Sequence, residues 1–227
     1  MELTLSSALS PGAMVGHFAY LLLVASMLMR TLFALRLLVI ASALVAIAYA
    51  AIWLNDPVSS FWEALLVLVN ILQITREWIA NRRARFSVEE QAFVDARLSE
   101  LSPSEARYVL NLGVWADGAA GTILTTQGEP VNNLVYLIAG AVDIEFDNAK
   151  VGSCFPGNYI GEMSVLEGGQ ASATATVSEP SRYWMVSAKQ LRKLHQNQPK
   201  IAAAFEVGIA RDLRAKIIKA NESHALP

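Results

Sequence analysis

Hydrophobic positions along this chain fall into two regimes. From Phe18 to Leu54 the sequence runs for 37 residues with only Ser, Thr and two Arg to interrupt the apolar side chains. As one helix rising ~1.5 Å per residue the run would be about 55 Å long, whereas the hydrocarbon core of a bilayer is ~30 Å thick. It therefore predicts two spans, with the reversal at residues 30–36, where Arg30 and Arg36 stand. A third apolar stretch, Val58 to Ala80, follows the turn "NDP" and keeps Glu63, Arg76 and Glu77 towards its ends. The pattern predicts a transmembrane domain over 1–85 with three helices, at about 12–30, 36–54 and 58–80. The first ten residues lack the basic region of a signal peptide, and the apolar run is too long for one.

Beyond residue 85 the period changes. Ser87 and Glu90 have capping-box spacing, and "SPSE" at Ser102 to Glu105 starts a second helix with Pro103 in its first turn. From Gly113, β-rich runs alternate with turn residues: "GTILTTQGEP", "NNLVYLIAGAVDIEF", "DNAKVGSCF", "SATATV", "SRYWMV". Their spacing predicts some eight short strands in a sandwich or roll. Past Val186 a helical pattern returns, ending in a long helix with Ile201, Phe205, Ile209, Leu213 and Ile217 on one stripe. The fold class expected is an α-helical transmembrane segment of three spans followed, over 86–227, by an α+β domain: an antiparallel β-roll or jelly roll flanked by helices.

Composition agrees with this division. Hydrophobic residues make up 54% of the chain and charged ones 17%, with a mean hydropathy of +0.37, too oily for an ordinary soluble protein. The basic residues of the first part, all Arg, lie at its first turn and at or beyond the C-terminal end of its third span, while the N-terminus and the "NDPVSS" turn carry none. The positive-inside rule then places the N-terminus outside and the C-terminal domain in the cytoplasm, in an integral protein of the inner or plasma membrane. Trp53, Trp62 and Trp78 stand near the span ends, as interfacial indoles do. Residues 86–227 carry twelve Lys and Arg against sixteen acids, which argues against nucleic acid as a partner.

Candidate chemistry is sparse. Cys154 is the single cysteine, so no intramolecular disulfide and no cysteine-rich metal site is expected; it reads as a buried thiol. His17, His195 and His224 are scattered, and nothing pairs a nucleophile with a base; no catalytic residue, metal ligand or enzyme activity is expected. His17, Asn70 and Gln73 read as interhelical hydrogen-bonding groups, since no glycine-rich filter loop or helix-breaking proline accompanies them. Ser42, Ala46 and Ala50 form a small-residue stripe that lets another helix approach, within the chain or between subunits.

"TILTTQGEPVNNLVYLIAGAVDIEF" and "GNYIGEMSVLEGG" resemble the cyclic nucleotide-binding domain of the CRP-like family, with Gly128, Leu134, Tyr136 and Gly140 at the family's turn and strand positions. The resemblance covers roughly Phe86 to Asn221. Three spans followed directly by such a domain also resemble the architecture of Popeye-domain proteins, although a Gly-Glu pair replaces that family's Asp-Ser-Pro-Glu signature. The resemblance implies a phosphate-binding cassette. In it Gly161 admits the ligand to the backbone, Glu162 accepts from the ribose 2′-hydroxyl, and the Met163 to Glu167 helix turns N–H groups towards the phosphate. Another reading of Glu162 is a turn residue bonded to backbone N–H groups.

The family's closing Arg-Thr-Ala-Ser/Thr-Val appears here as Ala173, Thr174, Ala175, Thr176 and Val177, and no Lys or Arg occurs from Val151 to Ser181. Losing a buried charge-assisted pair costs about 2–5 kcal/mol, on the order of 30- to several-thousand-fold in affinity. The hydroxyls of Ser172 and Thr174 remain for an anion, with Arg182 or the C-terminal helix outside the cassette. The ligand-binding set expected is thus Gly161, Glu162, Met163, Ser172, Ala173 and Thr174. Popeye-type domains, which also lack the arginine, are regarded as cyclic-AMP binders.

Two functions follow as expectations. One is a membrane-anchored signalling protein that senses cyclic AMP (cAMP) or a related cyclic nucleotide. The other is a degenerate, ligand-free domain used for oligomerisation or for binding another protein at the membrane. Either way the lipid bilayer is a partner, and the spans and the long C-terminal helix are expected to hold a homo-oligomer. The basic end "RDLRAKIIK" is expected to stay solvated outside that seam. Only about six residues follow the long helix, too few for a DNA-binding helix pair.

Overall fold

The computed structural model describes residues 10–225, with the side chains of Leu166, Glu167, Ala215, Ile217 and 219–225 outside the description. The chain divides into two compact units, one ending at Asn81 and one starting at Arg82.

In the first unit, Pro11–Met27 forms a helix capped by Ser10, whose side chain accepts from the Ala13 N–H at 3.2 Å. A second helix, Leu32–Tyr49, is capped by Thr31 and continues as a wider turn over Ala50–Leu54. Asn55, at φ 47°, ends it in the left-handed region. A third helix covers Pro57–Arg83. Two of these are long and apolar enough to cross a membrane, Leu32–Leu54 with 23 residues and Pro57–Arg83 with 27. Pro11–Met27 has 17 residues, about 26 Å of helix, so the first of the three expected spans is a shorter element. The reversal falls at residues 28–31 rather than 30–36, because Thr31 supplies the next N-cap. Arg36 consequently lies inside the second helix, where it pairs with Glu77 of the third at 2.6 Å.

The small-residue stripe serves packing within the chain. Ser42 donates to the Ala19 carbonyl at 2.7 Å, and Ala43 and Ala50 are buried with it. Asn70 satisfies itself on the Leu66 carbonyl of its own helix at 2.8 Å. Leu66, Leu68, Val69 and Leu72 around it face outward.

The second unit opens with helices Val88–Arg97 and Pro103–Leu112, each begun by a complete capping box, Ser87 with Glu90 and Ser102 with Glu105. An antiparallel sheet follows: β1 (Val114–Gly118), β2 (Ile123–Thr125), β3 (Asn133–Phe146), β4 (Ala149–Cys154), β5 (Tyr159–Ile160) and β6 (Thr174–Ser187). Its order is β1-β6-β3-β4, with β2 on β6 and β5 on β3. The described residues thus form six strands rather than eight short ones; "TATV" and "SRYWMV", expected in separate strands, belong to one of 14 residues. Pro180 does not end β6, since it sits where the β3–β6 register shifts and no ladder N–H is required. Opposite it Gly140 has φ +89°, and a Cβ there would lie 2.6 Å from the Pro180 carbonyl oxygen. The shift bends the ribbon.

Its alternating faces enter different cores, Leu134 and Tyr136 on one side and Val135 and Leu137 on the other. Leu134, Tyr136 and Trp184 pack with Phe93 and Phe205 of the helices, the Phe93 and Tyr136 rings stacked at 4.0 Å between centroids. Val142, Ala175 and Val177 pack with Cys154 and Ile160 inside the roll. Helix Ala188–Asn197 leads to the C-terminal helix Pro199–Ala225. Ile201, Phe205 and Ile209 of the expected oligomer stripe are buried in the unit's own core, Leu213 is half-buried, and the side chain of Ile217 lies outside the description. Ile201, Phe205 and Ile209 thus cover the unit's own helices.

Candidate functional site

The roll encloses a cavity of about 200 Å³ between the turn after β5, the chain entering β6 and the C-terminal helix. Ile144, Cys154, Ile160 and Ala175 make its apolar floor. Gly161 to Ser164 and Ala171 to Ala173 form one wall, and Lys216 stands in the other.

Gly161 is fixed by local sterics. It caps the Glu162–Glu167 helix at φ +81°, and a Cβ would sit 2.9 Å from Val131 Cγ1 and 3.2 Å from the Asn133 carbonyl oxygen. Only glycine combines that conformation with that approach. The turn carries Glu162 into the domain, 7% exposed. Ser164 closes the loop by donating to the Gln170 carbonyl at 2.7 Å, and Thr125 donates to the Ala173 carbonyl at 3.2 Å, holding the cassette against β2.

Of the residues expected from the sequence, Gly161, Glu162, Met163, Ser172 and Ala173 line the cavity. Met163 and Ser172 are exposed at its mouth and Ala173 is half-buried. Thr174 lies outside the lining: it has entered β6, and its hydroxyl accepts from the Gln127 N–H at 3.0 Å. Arg182 is elsewhere, paired with Asp117 at 2.8 Å and Glu89 at 3.6 Å.

The partner of Glu162 is an ammonium rather than a backbone amide. Lys216 Nζ lies 2.8 Å from Glu162 Oε1 and 3.0 Å from Asp212 Oδ2, and it also donates to the Tyr159 carbonyl. Asp212, one helical turn before it, is 0% exposed. It accepts from Arg97 at 2.9 Å, Asn158 at 3.1 Å and the Tyr159 N–H at 3.1 Å. Arg97 also donates to the Gly157 carbonyl at 2.5 Å. Two carboxylates and two cations thus balance where the C-terminal helix crosses the cassette. Burial alone would pull the Lys216 ammonium down, but Glu162 and Asp212 outweigh it and hold it above the ordinary lysine value. Burial pushes the Tyr159 phenol well above its ordinary range, so that ring stays neutral.

Sequence reasoning missed Asp212 and Lys216. Their i, i+4 spacing placed them on one face, but the basic stretch around them read as solvated. The lysine side chain is only 27% exposed.

The bent antiparallel roll with flanking helices, the glycine-capped short helix and the buried glutamate at the cavity are the features on which the likeness to known proteins rests. Residues 119–198 match the family model described as Cyclic nucleotide-binding domain. The fold is similar to a cyclic nucleotide-binding domain from Methylobacillus flagellatus, at 22% identity and TM-score 0.53, covering 59% of this chain and 83% of that one. It is also similar to a Geobacter metallireducens protein named for cyclic nucleotide binding, at 17% identity and TM-score 0.52, covering 58% of this chain and 99% of that one.

Among curated proteins the chain is similar to two Pycsar effector proteins. It is 30% identical over 104 residues, 45% of this chain, to BcPycTIR of Burkholderia cepacia. It is 29% identical over 72 residues, 32% of this chain, to XpPycTIR of Xanthomonas perforans. The matches cover 33% and 24% of those proteins, so the chain spans a third or less of their length.

Proposed function

We propose that this protein is a membrane-anchored regulatory protein that senses cyclic AMP or a related cyclic nucleotide, and that it acts as an effector in the manner its relatives' names describe. The observation that carries the reading is the cavity of a cyclic nucleotide-binding domain with Gly161 and Glu162 at its rim and Lys216 opposite. The role is binding and relay rather than catalysis.

Anchoring draws on the outward-facing apolar residues of Leu32–Leu54 and Pro57–Arg83. Pro11–Met27, packed on the second helix, is at the lower end of the ~17–25 residues that a span needs. We take it as the third span, an arrangement resembling the Popeye-domain architecture, with the N-terminus outside and the β-roll in the cytoplasm. The uncovered face of Pro57–Arg83 would meet lipid or a second copy of the chain. A reporter fused after Pro227 should then be cytoplasmic and one inserted at Asn55 external; finding both on one side contradicts three spans.

A second reading has its own support. Glu162 is already paired with Lys216, and the cavity is smaller than the roughly 300–1,000 Å³ of most ligand sites. A ligand-free module that binds a protein partner or a second subunit would look the same. Calorimetric titration of the full chain in lipid nanodiscs at low salt, with cyclic AMP, GMP, CMP and UMP, separates the two. Saturable binding of at least one supports the sensor, and silence to millimolar concentration favours the module.

A further inference from the structure

A cyclic phosphodiester carries a negative charge into any cavity it enters, and a charge leaving water needs a close partner. The cassette has none to offer. It lacks Lys and Arg from Val151 to Ser181, and its helix has six residues and begins with the carboxylate of Glu162. Arg182 is engaged by Asp117 and Glu89, and Arg97 by Asp212 and the Gly157 carbonyl; neither lines the cavity. Lys216 is the one cationic side chain among the described residues that line it.

Asp212 does not depend on that lysine, since Arg97, Asn158 and the Tyr159 N–H satisfy it from other sides. Glu162, in contrast, has Lys216 as its ion-pair partner. An ammonium on a flexible four-carbon stem can turn an N–H from one anion to another without moving its helix. Resting on the cyclic-nucleotide reading of this cavity, we propose that Lys216 is its phosphate-pairing cation, brought in by the C-terminal helix in place of the arginine that the cassette lacks. When a ribose hydroxyl engages Glu162, Lys216 shifts to an exocyclic phosphate oxygen. Affinity is thereby tied to the docking of the C-terminal helix.

The test uses the full chain in nanodiscs and whichever of the four cyclic nucleotides binds best, together with the Rp and Sp phosphorothioate forms of that nucleotide. Lys216→Met should weaken binding at least about 30-fold. Lys216→Arg keeps the charge but replaces a point donor by a planar fork, so binding should persist while the Rp/Sp affinity ratio changes by about threefold or more. The arginine variant decides the matter even if the methionine variant folds poorly. Wild-type affinity in a folded Lys216→Met protein overturns the proposal and leaves the sensor reading standing. An unchanged Rp/Sp ratio in Lys216→Arg assigns the lysine to neutralising Glu162 alone and also overturns it. No binding of any of the four nucleotides by the wild type overturns both.

Discussion

The two walls of the cavity are built in different ways. The cassette wall, Gly161 to Ala175, is continuous in sequence and held by local rules: a left-handed glycine cap, a six-residue helix and a serine closing its loop. The opposite wall arrives on a helix that starts at Pro199 and is fastened by an ion pair to Arg97 and by hydrogen bonds to Asn158 and Tyr159. The first shapes the cavity and contributes an acid; the second contributes the cation. A cassette read alone therefore looks anion-poor in its welcome, although the whole site is balanced in charge. The absence of an arginine from a contiguous motif says nothing of what a distant element delivers.

Several changes break or sharpen that contrast. The largest effect should come from Asp212→Ala, which strips Arg97, Asn158 and the Tyr159 N–H of a common acceptor with no exposure to water. Breaking a buried pair in this way costs about 3–5 kcal/mol, read as the shift in urea unfolding of the second unit within the full chain. A loss below about 1 kcal/mol would mean that the C-terminal helix is held by apolar packing alone. Gly208→Ala acts earlier on the same helix, because a Cβ there would collide with the Arg97 carbonyl. Backbone cannot yield as a side chain can, so a cost of about 1–3 kcal/mol is expected. Cyclic-nucleotide affinity should fall with it as Lys216 is displaced; unchanged affinity would separate the helix from the site.

The smallest effect is one of pH. The Lys216 ammonium is held above the ordinary lysine value of about 10.5 in the folded protein. Its contribution is therefore fully present below that value and is lost as pH rises through the folded one. The stability advantage of wild type over Lys216→Met should be level between pH 7 and 9 and shrink at higher pH. A difference that grows with alkalinity would contradict the ion pairing.

Elements with their own local chemistry were legible in the sequence. The capping boxes at Ser87 and Ser102 stand where their spacing put them. Gly161 and Glu162, which the family resemblance put at the entry of the cassette, stand at the cavity rim, where the left-handed Gly161 cap turns the chain inward. What escaped depends on which surface covers which. The stripe Ile201, Phe205, Ile209 was visible as a stripe, but periodicity identifies an apolar face without naming its cover, and the cover is the domain's own core. The same limit hid Lys216, which belongs to a basic segment by sequence and to a buried cluster by geometry. The runs "SATATV" and "SRYWMV" read as separate strands because the partner that bends the ribbon at Pro180, Gly140, lies forty residues earlier. Thr174 followed the family's pattern towards the ligand, yet its hydroxyl is engaged by Gln127.

The central claim is that a phosphate can be seated beside the cassette wall. The most direct measurement is the affinity of one cyclic nucleotide for the wild type and for Ala173→Arg, side by side in nanodiscs. Ala173 lines the cavity half-buried, so a guanidinium placed there adds a second cation to the one on the helix. The account predicts binding tightened by about 2 kcal/mol, roughly 30-fold. A correctly folded Ala173→Arg protein that binds no better than the wild type, or not at all, would contradict it.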